Sequence, residues 1–319
     1  MRAIVISATG GPEVLMYSDC PEPDLNPGEV LVDVTASGVN FIDVYHRMGR
    51  YPLSLPFVPG NEGAGTVAAV GEDVEGVSVG DVVAWANVMG SYAEKAVVPV
   101  SHLLLVPEGV EPELAAAVTL QGLTAHYLTH SVHEVKPGDD VLVHAAAGGM
   151  GLLLTQIAKL RGARVIGTVS TEEKEELARQ AGADEVLRYR GFAEAVRDLT
   201  GSGVHVVYDG VGAATFDESL AALRPRGMMA LYGQASGPVP PVDPQLLARE
   251  GSLFLTRPTL GSYIATKDEL ARRASDIFGW LAAGRLRVHV SRRYPLADAA
   301  RAHEDLEARR TAGKLLLIP

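Results

Sequence analysis

The chain has 319 residues, of which 47% are hydrophobic and 21% charged, and its formal net charge is −11. That length is enough for two domains with separate cores, and the acidic balance argues against broad binding to nucleic acid or to an anionic membrane surface. A single cysteine, Cys20, excludes an intrachain disulfide and any cysteine cluster that holds zinc or iron–sulfur. The first residues form a short apolar strand, 2–7, instead of the basic-then-apolar pattern of a leader. Asp, Glu, Gly or Pro interrupts every run long enough to span a bilayer, so a cytoplasmic protein with no membrane partner is expected. Residues 1–120 then read as strands and turns. The segment 29–37 (EVLVDVTAS) alternates with period two, as a half-buried strand does, and 63–70, 81–84 and 91–98 are similar. Pro27-Gly28, Pro59-Gly60 and Gly80-Asp81 punctuate them. This is the pattern of a compact, mostly β domain.

Helical spacing begins at residue 112 and runs to 130, and strict β/α alternation follows. Strands are expected at 140–145, 163–169, 185–188, 204–208 and 227–232, with one more possible at 252–256. Helices are expected between them at 149–161, 172–180, 192–199 and 213–223. Short apolar strands between amphipathic helices mean a parallel sheet covered on both faces, hence an α/β protein. The tail reads as helix 267–283, strand 286–290, helix 296–309 and strand 314–318. Composition leaves open whether it extends the second domain or returns to the first.

The strand at 140–145 runs straight into Ala145-Ala146-Ala147-Gly148-Gly149-Met150-Gly151, and a helix follows. Strand, Gly-rich turn and helix in that order form the dinucleotide-binding fingerprint. The helix N-terminus offers unpaired N–H groups to a pyrophosphate, Gly148 and Gly149 let it approach the backbone, and Gly151 lets helix and strand pack closely. At the end of the next strand an NAD-specific site places an acid on the ribose hydroxyls. Here Ser170 stands in that place, and Lys174, four residues on, can pair with a 2′-phosphate. NADPH is therefore expected over NADH, although Glu172 and Glu173 flank the lysine. Asp209-Gly210-Val211-Gly212 and Tyr232-Gly233-Gln234 follow later strands at the carboxyl edge, where ligands bind in such sheets.

These motifs, in this order, resemble the medium-chain dehydrogenase/reductase superfamily, and within it the zinc-free, zeta-crystallin-like quinone oxidoreductases. The marks are Gly38-Val39-Asn40-Phe41-Ile42-Asp43, Pro59-Gly60-Asn61-Glu62-Gly63-Ala64-Gly65, Gly122-Leu123-Thr124-Ala125, the turn at 145–151, and Gly313-Lys314-Leu315-Leu316-Leu317. The resemblance implies a GroES-like, mostly β catalytic domain of residues 1–123 and 263–319. Between its two parts it implies a Rossmann doubly wound parallel-sheet domain of residues 124–262, with the substrate in the cleft between domains. It also implies Asn40 and Asn61 where the zinc branch has Cys and His ligands, so no metal is expected. The spacing of His126, His130 and His133 brings them near one helix face, without the acids of a metal site.

Without a metal to polarise a simple ketone, the acceptor must be easily reduced, as a quinone or an enone is. The resemblance implies NADPH-dependent quinone reduction, with Asn40, Asp43, Tyr45, Tyr51 and Thr124 as the polar lining of the catalytic site. Tyr51 is expected to orient the acceptor and stabilise developing charge, and Asp43 to orient its neighbours. Glu62 is expected to bond Asn40 or Arg309. The cofactor residues carried over are Ala145, Gly148, Gly149, Met150, Gly151, Ser170, Lys174, Tyr189, Gly233, Gln234 and Arg309, with Arg310 as the alternative to the last. The apolar strand near 254–259 suggests a homodimer. Two other readings stay open: an NADPH-dependent enone or enoyl-thioester reductase, and a non-catalytic crystallin-like or RNA-binding protein, the last disfavoured by the negative charge.

Overall fold

The computed structural model describes every residue, Met1–Pro319. The chain forms two compact units, one of Met1–Leu123 with Ile264–Pro319 and one of Thr124–Tyr263. In chain order the elements of the first stretch are β1 (Arg2–Val5), β2 (Met16–Asp19), β3 (Glu29–Val39), α1 (Phe41–Arg47), β4 (Glu62–Val70), β5 (Val82–Ala86), β6 (Lys95–Pro99) and β7 (Leu103–Leu105). Next come α2 (Pro112–Tyr127), β8 (Asp140–Val143), α3 (Gly149–Leu160), β9 (Arg164–Thr168), α4 (Glu172–Gln180), β10 (Glu185–Leu187), α5 (Phe192–Thr200), β11 (Val204–Asp209) and α6 (Phe216–Ala222). The last are β12 (Leu223–Leu231), α7 (Pro244–Arg249), β13 (Phe254–Thr256), α8 (Leu260–Tyr263), α9 (Lys267–Ala282), β14 (Val290–Pro295), α10 (Ala299–Glu307) and β15 (Lys314–Ile318). No helix is long and apolar enough to cross a membrane.

The first unit is a β-rich domain organised around β3. Its alternation buries Val30, Val32 and Val34 against Val67, Val83, Trp85, Ala96 and Val98. Along its length β3 pairs antiparallel with β4, at its start with β6, and at its end with β15. The last pairing sets Leu315 beside Val39 and Leu316 beside Gly38, so the C-terminal tail returns to the first unit. A second core of Ile4, Ile6, Val39, Tyr92, Tyr294, Leu315 and Leu317 forms where the tail joins. That pairing also delivers Lys314 to the end of β3, where the functional side chains begin.

The second unit is a Rossmann-type sheet of six parallel strands in the order β10-β9-β8-β11-β12-β13. In sequence rank that is third, second, first, fourth, fifth, sixth, the doubly wound order whose direction reverses at the first strand. Leu142, Ile166, Val207, Phe192, Phe216, Leu220 and Met229 fill its core.

Several boundaries differ from the sequence expectation. The strand expected at 286–290 lies at Val290–Pro295, because the segment that pairs with β15 is the arginine-bearing edge and not the apolar run before it. The strand expected at 91–98 begins only at Lys95 and runs on to Pro99. The helix expected at 112–130 ends its α part at Tyr127 and closes in a wider turn at Leu128–Val132. The helix expected from 213 starts at Phe216, because the Asp209 carboxylate holds the preceding backbone in a turn through Val211 N (2.7 Å) and Gly212 N (2.9 Å). Helix α1, inside a region expected to be strands and turns, is the main element missed.

Candidate functional site

Helix α1 exists because of the residue pair at its start. Asn40 ends β3 with extended backbone, and the Asp43 carboxylate, one turn on, accepts the Asn40 N–H at 2.9 Å. Asp43 is wholly buried and accepts two further donors, Asn61 Nδ2 at 2.8 Å and the Tyr92 hydroxyl at 3.1 Å. Burial raises its pKa to about 6, against the pull of those hydrogen bonds and of the Lys314 charge.

The direction of the hydrogen bonds around Asp43 is forced from the far side. Arg47, fully buried and paired with Glu307 at 2.7 Å, lies 3.2 Å from His303 Nδ1. A guanidinium only donates, so Nδ1 accepts and Nε2 carries the imidazole proton. Nε2 lies 3.1 Å from the Tyr92 oxygen, so Tyr92 accepts from His303 and gives its own proton to Asp43. Burial, and then the Arg47 charge, lowers the His303 pKa to about 3. The neutral tautomer is thus held, and the chain Arg47, His303, Tyr92, Asp43 runs one way only.

A second buried network meets the first at Asn40. Lys314 Nζ donates to Glu62 Oε2 at 2.5 Å and to Asn40 Oδ1 at 2.9 Å, and both charged side chains are fully buried. Asn40 Nδ2 donates to Glu62 Oε2 at 2.9 Å and to Gly38 O at 3.2 Å, and Gln121 Nε2 donates to Asn40 Oδ1 at 3.0 Å. Glu62 Oε1 accepts the backbone N–H of Leu120 in α2 at 2.6 Å. A Cβ at Gly38 would stand 2.0 Å from Glu62 Oε2 and 2.8 Å from Lys314 Cε, so a side chain here would displace the buried Lys314–Glu62 pair.

Asn40 therefore has both amide hydrogens and both acceptor directions filled from within the chain. Asn40, expected in the polar lining of the catalytic site, thus stands as an orienting hub. Of the two partners expected for Glu62, Asn40 is present, and Lys314 stands where Arg309 was the other candidate. The remaining lining residues are aromatic neighbours. Tyr45 is buried and meets Tyr51 edge-on at 5.6 Å, and Tyr51 meets His46 at 6.0 Å. Thr124 is buried within α2. Sequence reasoning missed Arg47, Tyr92, Gln121 and His303, and treated Lys314 only as part of a motif. No group of three or more His, Cys, Asp or Glu side chains could hold a metal ion. His126 and His130 stack at 4.0 Å, while His133 turns to Asp139 at 3.0 Å.

In the second unit the turn after β8 has the geometry a dinucleotide needs. Ala145 takes a left-handed φ of 50° and its N–H donates to the Tyr189 hydroxyl at 3.1 Å. Gly148 caps α3, whose first N–H groups have no carbonyl one turn before them. A Cβ on Gly151 would lie 2.2 Å from Ala145 O, so the helix can sit this close to the strand only with glycine there. Gly148, Gly149 and Met150 are half-exposed. Beneath the turn His144 is fully buried between Thr168 (2.8 Å) and Ser219 (2.9 Å), and Ser219 passes its proton to Asp209 at 3.1 Å. Burial lowers the His144 pKa, and the ring stays a neutral strut.

Ser170 is exposed just after β9, and Thr171 caps α4 by accepting the Lys174 N–H at 3.3 Å. Lys174 thus sits in the first turn of α4, at a helix end that itself favours an anion. Glu175 is drawn off by Arg179 (2.9 Å) and Arg188 (3.0 Å), while Glu172 and Glu173 are exposed. These residues fit a nucleotide bearing a 2′-phosphate: a half-exposed glycine cradle at α3 and a hydroxyl with a cation at α4. Gly233 packs against the backbone of Gly210, where a Cβ would stand 2.6 Å from Gly210 O, so close backbone packing accounts for that glycine. Gln234 is half-buried beside it. Arg309 follows α10 in the first unit with a left-handed φ of 56°, and Arg310 reaches Asp305 at 3.3 Å.

Comparison with known proteins finds relatives along the whole chain. The family described as alcohol dehydrogenase GroES-like domain matches residues 26–108, and that described as zinc-binding dehydrogenase matches residues 149–276. A quinone oxidoreductase of Pseudomonas aeruginosa is 46% identical over 323 residues, covering 100% of this chain and 99% of the relative. A 2-haloacrylate reductase of a Burkholderia species is 42% identical over 330 residues, covering 100% of this chain and 99% of its own. A mycobacterial protein solved as a complex with NADPH superposes with a TM-score of 0.98 at 54% identity, each chain covered 100%.

Proposed function

Because the chain belongs to the medium-chain dehydrogenase/reductase superfamily, in its zinc-independent quinone oxidoreductase branch, we propose that it reduces a quinone with NADPH. One observation carries the reading: the glycine cradle at 145–151 is followed by Ser170 and Lys174 and not by an acid, in a chain 54% identical to a protein solved with NADPH. Bound NADPH supplies the hydride. The chain's own groups bind and orient. The first-turn N–H groups of α3, at Gly149, Met150 and Gly151, face the pyrophosphate. Ser170 and Lys174 take the 2′-phosphate, with Tyr189 on the adenosine side and Gly233 and Gln234 toward the nicotinamide. Arg309 is assigned to the cofactor as well.

On the acceptor side Tyr45 and Tyr51 form an aromatic wall suited to a flat ring, and the Tyr51 hydroxyl is the donor to developing negative charge. Thr124 is assigned to the acceptor as well. Asn40 and Asp43 set the position of α1 and so of Tyr45. The domain assignment is a catalytic domain of residues 1–123 and 263–319 and an NADPH-binding domain of residues 124–262. The protein works in the cytoplasm. It pairs as a homodimer through β13, a short edge strand whose Phe254 is 57% exposed.

The 42% identical 2-haloacrylate reductase favours a second reading, in which the acceptor is an activated C=C bond. Oxidation of NADPH measured against quinones, enones and enoyl thioesters separates the two. Turnover with quinones at rates above all enones supports the first, and turnover with conjugated C=C acceptors alone rejects it.

A further inference from the structure

The buried pair Lys314–Glu62 fixes the polarity of two side-chain amides in series. An ammonium only donates and a carboxylate only accepts. Lys314 Nζ, 2.9 Å from Asn40, therefore meets its Oδ1, and Glu62 Oε2, 2.9 Å away, meets its Nδ2. With Oδ1 placed, Gln121 must present Nε2 to it, at 3.0 Å. The Gln121 Oε1 atom is then left as an acceptor, and it is buried with no hydrogen-bond partner in the chain. A buried unpaired carbonyl is costly, and native structures carry very few. Reversing the amide would give Oε1 a place opposite Asn40 Oδ1, two acceptors face to face, which the charged pair below forbids.

We propose that Gln121 Oε1 is a ligand-binding acceptor, held in this orientation by Lys314 through Asn40, and that it takes a hydrogen bond from a donor on the bound small molecule. The donor is an N–H or O–H group. The proposal rests on reading the chain as an NADPH-dependent reductase, which offers two such donors: the carboxamide of the nicotinamide ring and the hydroxyl of a reduced quinone. Gln121 is then a specificity-determining residue, and Lys314 a positioning residue that touches no ligand.

Paired ligands that differ only in the donor test this by fluorescence titration, without turnover. One pair is NADPH and its 3-acetylpyridine analogue, which lacks the amide N–H. The other is 1-naphthol and 1-methoxynaphthalene, titrated into protein loaded with NADP⁺. In the wild type one donor-bearing ligand is expected to bind about tenfold more tightly than its partner. In Gln121→Met that ratio falls to near one while the affinity of the donor-free partner is unchanged. The pair whose ratio collapses names the donor. Gln121→Ala, read the same way, guards against local disturbance of α2 by the longer side chain. Ratios in both variants equal to those of the wild type overturn the proposal while leaving the reductase reading intact. A wild type that does not bind NADPH overturns both.

Discussion

The two units keep their polar groups in opposite ways. In the first, Asn40, Asp43, Glu62, Tyr92, His303 and Lys314 are buried and bonded to one another in fixed directions. In the second, the groups we propose for the cofactor are half-exposed backbone N–H donors at the start of α3, with Ser170 and Lys174 at the rim. The contrast teaches that the first site is built to hold shape, since its charges already have partners. The second is built to be completed by an anion. Changes in the first unit should therefore act on stability and pH response, and changes in the second on cofactor affinity.

The largest effect is expected at Lys314. Lys314→Met leaves Glu62 buried without its cation and should cost about 3–5 kcal/mol in denaturant unfolding, with much of the loss recovered in Lys314→Met/Glu62→Gln. A loss below about 1 kcal/mol in the single variant breaks the account of the first unit.

Next comes the pH response, where two residues of one chain pull oppositely. The folded pKa of Asp43, about 6 against an ordinary 3.8, is raised. Its contribution is thus fully present below about pH 4 and is lost as pH rises through 6. The stability of Asp43→Asn relative to wild type should therefore rise by about 2 kcal/mol between pH 4 and pH 6. His303, at about 3 against 6.5, is lowered, so the unfolded chain takes up its proton first and wild-type stability falls as pH drops below 6.5. His303→Gln should accordingly gain on the wild type as pH falls through that window, by at most about 1.4 kcal/mol per pH unit. Unfolding curves of the two variants from pH 4 to 8 check both signs, and equal slopes contradict the one-way chain.

In the second unit Lys174→Glu should weaken NADPH binding about tenfold to a hundredfold and leave the melting temperature close to that of the wild type. An unchanged NADPH affinity removes Lys174 from the site. The smallest effect is expected at Ala145, whose left-handed backbone (φ 50°) suits glycine better. Ala145→Gly should stabilise the fold by about 1 kcal/mol, visible as a melting point higher by about 2–4 °C.

The same contrast explains what could be read in the sequence. The second unit's turn was legible because its chemistry is local: strand, glycines and helix are consecutive, and Lys174 lies four residues past Ser170. The alternation of β3 was legible for the same reason. Helix α1 was not, because it has only seven residues and its start depends on Asp43 bonding back to Asn40. The position of β14 was not, because its identity comes from pairing with β15, while its own side chains include Arg292 and Arg293. The partners of Asn40 were hidden altogether. Lys314 lies 274 residues away from it, and nothing in the periodicity of the tail says which charge will meet Glu62. Without that contact Asn40 reads as a free amide. With it, the amide is saturated and the acceptor is handed to Gln121.

The central claim, that the second unit is completed by a nucleotide with a 2′-phosphate, is tested most directly by calorimetric titration of the wild-type protein with NADPH and NADH side by side. NADPH is expected to bind at least about tenfold more tightly, from the charge-assisted bonds of Ser170 and Lys174. Equal affinities, or tighter binding of NADH, would contradict it.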